Sequence, residues 1–530
     1  MAELGTAHLA SVFFSFAAVF VVFSLLLLLL WRRPGCCSCH VCRAYLSGSW
    51  ATEFDNLGDW YTHLLRASPT ATIHLHVLGN TVTANPDNVE YMLQTRFANF
   101  PKGKHFAAVL GDLLGHGIFN VDGDAWRFQR KMASLAVGSV SLRAYAAGVI
   151  DEEISRGVTQ RLCSVADAGG AVDLQDLFRR FAFDTICRIS FGLERGCLEL
   201  PVPMEEFVAA FDAASRLSAM RGAAAAPVVW KLKRLLNIGS ERELRRAVGM
   251  IDGLAKEVIK QRRKIGYAGG HDLLSRFMSS VKDDDEYLRD IVVSFLLAGR
   301  DAVASGLTGF FLLLTRNPRA AALVRKEINA GSGRNYVKAA IHESLRLFPP
   351  VQFDSKWCTD DDVLPDGTFV RKGTRVTYHP YAMGRMESIW GADCGEFVPE
   401  RWLRGDQSAF AAESLFKYPV FQAGSRVCLG KELALMEMRK VVVAVLGQFD
   451  VEVVDADRPV KFAPGLTATF SGGVWARLAK SGKDQMKLHW NHNFEFETKI
   501  WISGSSSWPI ASSLPLLLHY FHAYEELETF

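Results

Sequence analysis

The pattern of apolar and polar positions separates one unbroken apolar run from a long series of amphipathic segments. Residues 11–31 read SVFFSFAAVFVVFSLLLLLLW, with no charge between Glu3 and Arg32. At about 1.5 Å per residue this run makes a helix of roughly 31 Å, matching a hydrocarbon core of about 30 Å. Fifteen of its 21 residues are Leu, Val or Phe, so insertion contributes roughly 5–9 kcal/mol. A cleaved signal peptide has a shorter apolar region after a basic start and ends at small residues. Here Glu3 precedes the run and Trp31-Arg32-Arg33-Pro34 closes it, which favours a retained membrane anchor over residues 1–33. The two arginines put the following chain on the cytoplasmic side. That compartment is reducing, which argues against disulfides.

Beyond residue 45 the apolar positions recur mostly at helical spacing, with short alternating runs between them. The periodicity predicts helices over 174–191, 241–264, 287–315 and 431–447, and strands over 73–78, 368–378 and 467–478. The acidic run DDDE at 283–286 suits the N-terminal region of the following helix, where acids complement the dipole. There is no internal repeat and no long Gly/Ser or Pro linker. The expected fold is mainly α with a small β portion, preceded by one N-terminal transmembrane helix.

Composition narrows the function classes. Sixty Lys and Arg against 57 Asp and Glu leave +3, too close to balance to suggest a nucleic-acid partner. With 49% hydrophobic and 22% charged residues, the chain is neither a disordered polymer nor a disulfide miniprotein. A segment at 34–49 carries Cys36, Cys37, Cys39, His40 and Cys42. Structural zinc sites usually draw a second ligand pair from a separated position, and none follows. Reduced cysteines near the membrane are the simpler reading, with lipidation as an alternative.

The cysteine with chemistry around it is Cys428, in FQAGSRVCLG at 421–430. Flanking glycines let the backbone turn tightly and bring N–H groups toward a sulfur. Those donors and the following helix N-terminus favour a thiolate, and Arg426 adds positive charge two residues away. The loop resembles the haem-binding loop of the cytochromes P450, F-x-x-G-x-R-x-C-x-G, at all five fixed positions: Phe421, Gly424, Arg426, Cys428 and Gly430. The resemblance implies that Cys428 is the axial ligand of haem b iron, its thiolate favouring O–O cleavage, and that Arg426 meets a haem propionate.

Other segments extend the resemblance over residues 50–478. Glu343-Ser-Leu-Arg346 is similar to the family's E-x-x-R helix, where three-residue spacing puts both side chains on one face. FVPERW at 397–402 resembles the P-E-R-F/W segment, whose arginine, here Arg401, joins Glu343 and Arg346 in a structural trio. Trp126 and Arg130 match W-x-x-x-R; both side chains only donate, and in the family they serve haem propionates. NFPKGK at 99–104, LLGHGIFNVDG at 113–123, WRFQRKMAS at 126–134 and VTYHPYAMGRM at 376–386 look like the plant branch that hydroxylates fatty acids and jasmonoyl–amino acid conjugates at the terminal carbon. That branch implies substrate-pocket positions Phe119, Phe295, Ala298, Val351, Phe353 and Leu466, all apolar.

Three features depart from the family. Its oxygen-activating helix usually carries A/G-G-x-D/E-T, whereas this chain has Asp301 followed by Ala302. Asp301 remains to order a proton path, but alanine cannot relay a proton, so peroxide leakage is expected; Ser305 is a poor substitute. The connection between Ile328 and Ala339 is shorter than the family's, as if a helical segment were missing. Residues 479–530 form an atypical C-terminal extension, expected to be poorly ordered.

The resulting expectation is a monooxygenase domain at 50–478, anchored in the endoplasmic reticulum membrane with its catalytic part cytoplasmic. It would take electrons from NADPH through cytochrome P450 reductase, since no nucleotide loop occurs in the chain, and would hydroxylate an apolar small molecule. Reductase-independent rearrangement of a fatty-acid hydroperoxide, a weakly active or inactive haem binder, and a zinc scaffold on the N-terminal cysteines are the alternatives.

Overall fold

The computed structural model describes Val21, Cys37 and residues 39–481, except 194–203, 269, 282–283, 332–334 and 406–408. The expected anchor, apart from Val21, and the tail from residue 482 onward lie outside the described residues.

A 32-residue helix, Asp285–Arg316, runs through the core. Apolar residues cover nearly all its faces, as suits a helix enclosed on every side, and 72% of its most apolar window is buried. Among the described residues it is the one helix long and apolar enough to cross a membrane; its burial makes it a core helix here. Its start confirms the role of the acidic run: the Asp284 carboxylate accepts from the Tyr287 N–H at 2.9 Å, and Asp285 and Glu286 occupy the first turn. The helix packs against Leu174–Phe191, Gly239–Ile265, Asn335–Leu347 and Lys431–Gln448. Its N-terminal half joins one apolar core, with Phe207, Phe211 and Ile251, and its C-terminal half joins a second, with Phe178, Ile341 and Val441. Between the halves lies the stretch 295–302.

A four-stranded sheet sits over a third core. Its order is Thr72–Leu75, Asn80–Thr83, Arg375–Tyr378, Asp354–Trp357, with the middle pair parallel and the outer pairs antiparallel. A smaller antiparallel sheet joins Phe449–Val453, Trp475–Lys480 and Ala171–Asp173. The helix over 174–191 matches its expected bounds, but the strands are more broken than their alternation predicts. The 73–78 strand stops at Leu75 and tightens into a 3₁₀ turn, His76–Leu78. The run 368–378 is two strands in different sheets, separated by a turn at Gly373 with φ +77°. Likewise 467–478 divides at Gly472 and Gly473, both at positive φ. A period of two marks extended backbone and does not reveal where the chain leaves one sheet for another. The last strand also continues two residues past Leu478, pairing Lys480 with Phe449.

The short connection noted in the sequence is closed compactly. One helix ends at Ala330 and the next begins at Asn335. Glu327 reaches across, its carboxylate accepting from the N–H groups of Tyr336 at 2.9 Å and Val337 at 2.7 Å. It thereby caps the new helix from the old one.

Candidate active site

The cysteine loop is held by its own backbone. Cys428 N–H donates to the Phe421 carbonyl at 2.7 Å and Val427 N–H to Gly424 at 3.1 Å, around the 3₁₀ turn Gly424–Arg426. Gly424 sits at φ +58°, and a β-carbon there would collide with the Leu93 carbonyl oxygen. Both facts demand glycine. Gly424→Ala is therefore expected to displace the loop and lower haem content severalfold, read as haem per protein after purification; unchanged loading would refute the loop's rigidity.

Cys428 is exposed, yet the surrounding protein pushes its thiol pKa up. The Gly430 N–H and the charges of Arg130 and Lys431 oppose that shift. The donor environment read from the sequence is thus present, but burial outweighs it for the free thiol. A bound cation would reverse the balance.

Cationic donors collect beside this sulfur, one of their buried N–H groups without an acceptor. Arg426 Nη2 donates to the Val121 carbonyl at 3.0 Å and to Asp122 Oδ1 at 2.6 Å, while its buried Nε has no partner. Its guanidinium stacks 4.6 Å over the Trp126 ring. Arg130, one turn on from Trp126 along Gly123–Val137, feels both Arg426 and Cys428, and burial lowers its pKa. Arg130 makes no ion pair among the described residues. The structure thus brings Trp126, Arg130, Arg426 and Cys428 together.

Two further cations escaped the sequence reading. Asp354 accepts from Lys356 Nζ at 2.7 Å, from Lys102 and from the Tyr378 hydroxyl at 3.0 Å. Burial alone would raise the Asp354 pKa, but the two lysines hold it far below the carboxylate range. Burial lowers Lys356 to about 7, with Arg426 adding repulsion and Asp354 opposing both. Both lysines share this one carboxylate close to Arg426. The signal was visible as lysines in FPKGK and DSKW, but nothing local says that they meet.

Behind the loop the expected trio is in place. Glu343 accepts from Arg346 Nε at 2.8 Å and Nη2 at 2.7 Å, Arg401 Nε at 2.9 Å, Trp402 Nε1 at 2.9 Å and Val398 N–H at 2.8 Å. Arg346 spends its remaining donors on the carbonyls of Gly384, Cys394 and Glu396. Both Glu343 and Arg346 side chains are fully buried, so every charge-bearing atom is matched.

Next to the trio, His342 lies among the rings of Trp402, Phe410, Tyr418 and Phe421, and neither ring nitrogen has a partner. Burial pushes its pKa from 6.5 down to about 3, and does the same for His379. The unfolded chain then binds more protons than the folded one between those values. Stability falls as pH drops from about 6.5 toward 3, by up to about 1.4 kcal/mol per unit for each histidine. His342→Phe should flatten this acid limb in denaturation curves taken at several pH values; an unaltered slope would contradict it.

On the central helix, Phe295, Ala298, Gly299 and Ala302 remain partly or wholly exposed while most of their neighbours are buried. Their spacing puts them on one face, in the stretch between the two cores, with Ala298, Gly299 and Ala302 its small residues. Asp301 points elsewhere. It is buried, its Oδ1 stands 3.5 Å from Arg300 Nε without hydrogen-bond geometry, and Thr467 lies beside it. Burial raises its pKa, Arg300 and Arg179 lower it, and Asp212 raises it. Ser305 is buried and without a partner, off the exposed stripe. Of the other pocket positions, Leu466 packs at the same core boundary as Phe295, Phe119 and Phe353 keep exposed rings, and Val351 is half-buried.

A thiol on a glycine-flanked loop, with an indole and two guanidiniums beside it, fits an anionic cofactor that ligates sulfur. Comparisons with known proteins agree. The family profile "Cytochrome P450" matches residues 53–471. The chain is 55% identical to "Cytochrome P450 94C1" of Arabidopsis thaliana over 86% of this chain and 95% of that one. It is 44% identical to "Cytochrome P450 94B1" of the same plant, covering 79% and 87%, and 40% identical to "Cytochrome P450 94A1" of Vicia sativa, covering 82% and 89%. A crystal structure of the cytochrome P450DA heme domain superposes with a TM-score of 0.61 at 22% identity, over 76% of this chain and 88% of that one, which speaks for the fold. Family membership implies a haem-iron cofactor. The chain belongs to the cytochrome P450 family, in its 94 branch, and is a cytochrome P450 monooxygenase.

Proposed function

We propose that this enzyme hydroxylates the terminal carbon of a fatty acid or jasmonoyl–amino acid conjugate, using NADPH-derived electrons from a reductase. The observation that carries the reading is the gathering of Trp126, Arg130 and Arg426 around Cys428. Cys428 would hold the haem iron, and Trp126, Arg130 and Arg426 would bind the propionates. Glu343, Arg346 and Arg401 would keep the loop in register. Bound haem supplies dioxygen activation and transfer of one oxygen atom to a C–H bond. The chain's own part is to exclude bulk water, present an apolar lining at Phe119, Phe295, Ala298, Val351, Phe353 and Leu466, and hold a proton near Asp301. The resemblance to the 94 branch supports the substrate class.

The anchor at 1–33 and a catalytic domain on the cytoplasmic face of the endoplasmic reticulum belong to the same proposal; the extension expected from 479 would begin later, because Ala479 and Lys480 pair in the last strand. Support comes from a second apolar surface: Leu232, Leu235, Leu236 and Ile238 are exposed on and just after the helix Pro227–Leu236, beside Lys231, Lys233 and Arg234. Such a face suits the membrane interface.

The test is a binding titration with fatty acids and jasmonoyl-isoleucine, followed by turnover with reductase and NADPH. A high-spin spectral shift and a terminally hydroxylated product are expected. Hydroperoxide consumption without NADPH would overturn the reading. Ala302 bears on coupling: Ala302→Thr should raise product formed per NADPH consumed severalfold, because the new hydroxyl can relay a proton. An unchanged ratio would show that the hydroxyl's place is already filled.

A further inference from the structure

Among the described residues, a second set of sulfurs converges far along the chain from Cys428. The Sγ atoms of Cys37, Cys39 and Cys42 lie within 4.8 Å of one another. Around a tetrahedral ion with metal–sulfur bonds of about 2.3 Å, two sulfurs stand about 3.8 Å apart. Closing the set onto one ion therefore asks for about half an ångström from each.

The backbone already treats these sulfurs as acceptors. Cys39 N–H donates to Cys37 Sγ at 3.4 Å, and Cys42 N–H donates to Cys39 Sγ at 3.4 Å. Cys39 is the N-cap of the helix His40–Ser47, with the extended backbone a cap requires. The helix N-terminus and N–H···S bonds both favour a thiolate. Cys42 is 1% exposed and packs in the core under the four-stranded sheet with Trp60 and Leu75, so one ligand is fixed in a rigid wall. Cys37 and Cys39 are half-buried and remain reachable. The objection from sequence was a missing second half-site. The structure brings three sulfurs together within this one segment, so a single ion would draw three ligands from it without a separated pair.

We propose that Cys37, Cys39 and Cys42 bind one Zn²⁺ ion, with the fourth position left to water or an added ligand. Each thiol that ligates loses its proton, so loading releases up to three protons and strengthens as pH rises. The ion staples the first turn of His40–Ser47. That helix reaches the rest of the domain through the Tyr45 hydroxyl, which donates to the Ala223 carbonyl at 2.7 Å, and through packing on the His76–Leu78 turn. The site thus stiffens the segment where the catalytic domain meets the preceding chain, and it is independent of haem.

The experiment uses the full chain in detergent, stripped with a chelator and reloaded with zinc chloride alone. Elemental mass spectrometry should find one zinc per chain, and zinc-edge X-ray absorption should find sulfur neighbours near 2.3 Å. Cys37→Ser and Cys39→Ser should each weaken zinc binding at least tenfold against a chromophoric chelator, with the far-ultraviolet circular dichroism unchanged. Both positions are half-buried, so neither variant threatens folding as Cys42→Ser would. Equal zinc retention by the Cys37→Ser/Cys39→Ser double variant overturns the proposal. So does a zinc shell of nitrogen and oxygen alone, retention of Cu⁺ with no zinc bound, or mass-spectrometric recovery of these cysteines as thioesters or disulfides from the purified chain.

Discussion

Replacing Cys428 by serine is expected to remove the red-displaced Soret band of the reduced, carbon monoxide-bound protein and to lower hydroxylation at least a hundredfold. Losing a group that merely supports a metal ligand costs about 10–100-fold, and this substitution removes the ligand itself. The variant should still fold. The loop is pinned through Cys428 N–H on the Phe421 carbonyl and Val427 N–H on Gly424, bonds that serine preserves. The loss would therefore be chemical, separable from misfolding by an unchanged circular dichroism spectrum. A surviving band would mean that another side chain holds the iron.

The second large effect belongs to Glu343. Glu343→Ala would take the carboxylate away from Arg346, Arg401 and the Trp402 indole, each of which donates to it, and would leave the fully buried Arg346 without its counter-ion. Breaking a buried pair from one side typically costs about 3–5 kcal/mol, against a total stability of about 5–15 kcal/mol. The variant should shift the urea midpoint by that amount or fail to accumulate. Glu343→Gln keeps the shape but turns an amide N–H₂ toward arginine donors, so it should recover only part of the loss. A shift below about 1 kcal/mol for Glu343→Ala would mean that water replaces the carboxylate, contrary to its full burial. Since Trp402 and Tyr418 also pack around His342 near Phe421, haem loading should fall with stability.

How much of this was legible depended on the range of the interaction. The helix over 174–191 was readable end to end because the signals at its ends are local: the Asp173 carboxylate accepts from the Gln175 N–H at 2.9 Å, and Gly192 stops the helix at φ +61°. The three-residue spacing of Glu343 and Arg346 carried its own geometry, and so did the glycines around Cys428. The broken strands were misread because alternation is shared by neighbouring strands of different sheets. Lys102, Asp354 and Lys356 were passed over because the partners of a buried charge are set by distant backbone. Asp301 faces away from Ala302 by helix geometry alone, but only the fold sets Thr467, Arg300 and Arg179 around it.

The amino-acid order alone determined which residues could do chemistry: a thiol between glycines, donors at helical spacing, an acid followed by alanine where a hydroxyl is customary. It also determined the elements, because caps and periodicity act within a few residues. Only the tertiary structure decided which charges are left without partners beside Cys428, how Glu327 closes a short connection, and that three N-terminal sulfurs share one space. The first depends on chain segments hundreds of residues apart being packed without water between them; the other two are settled within about ten residues, but by side-chain placement that periodicity does not report.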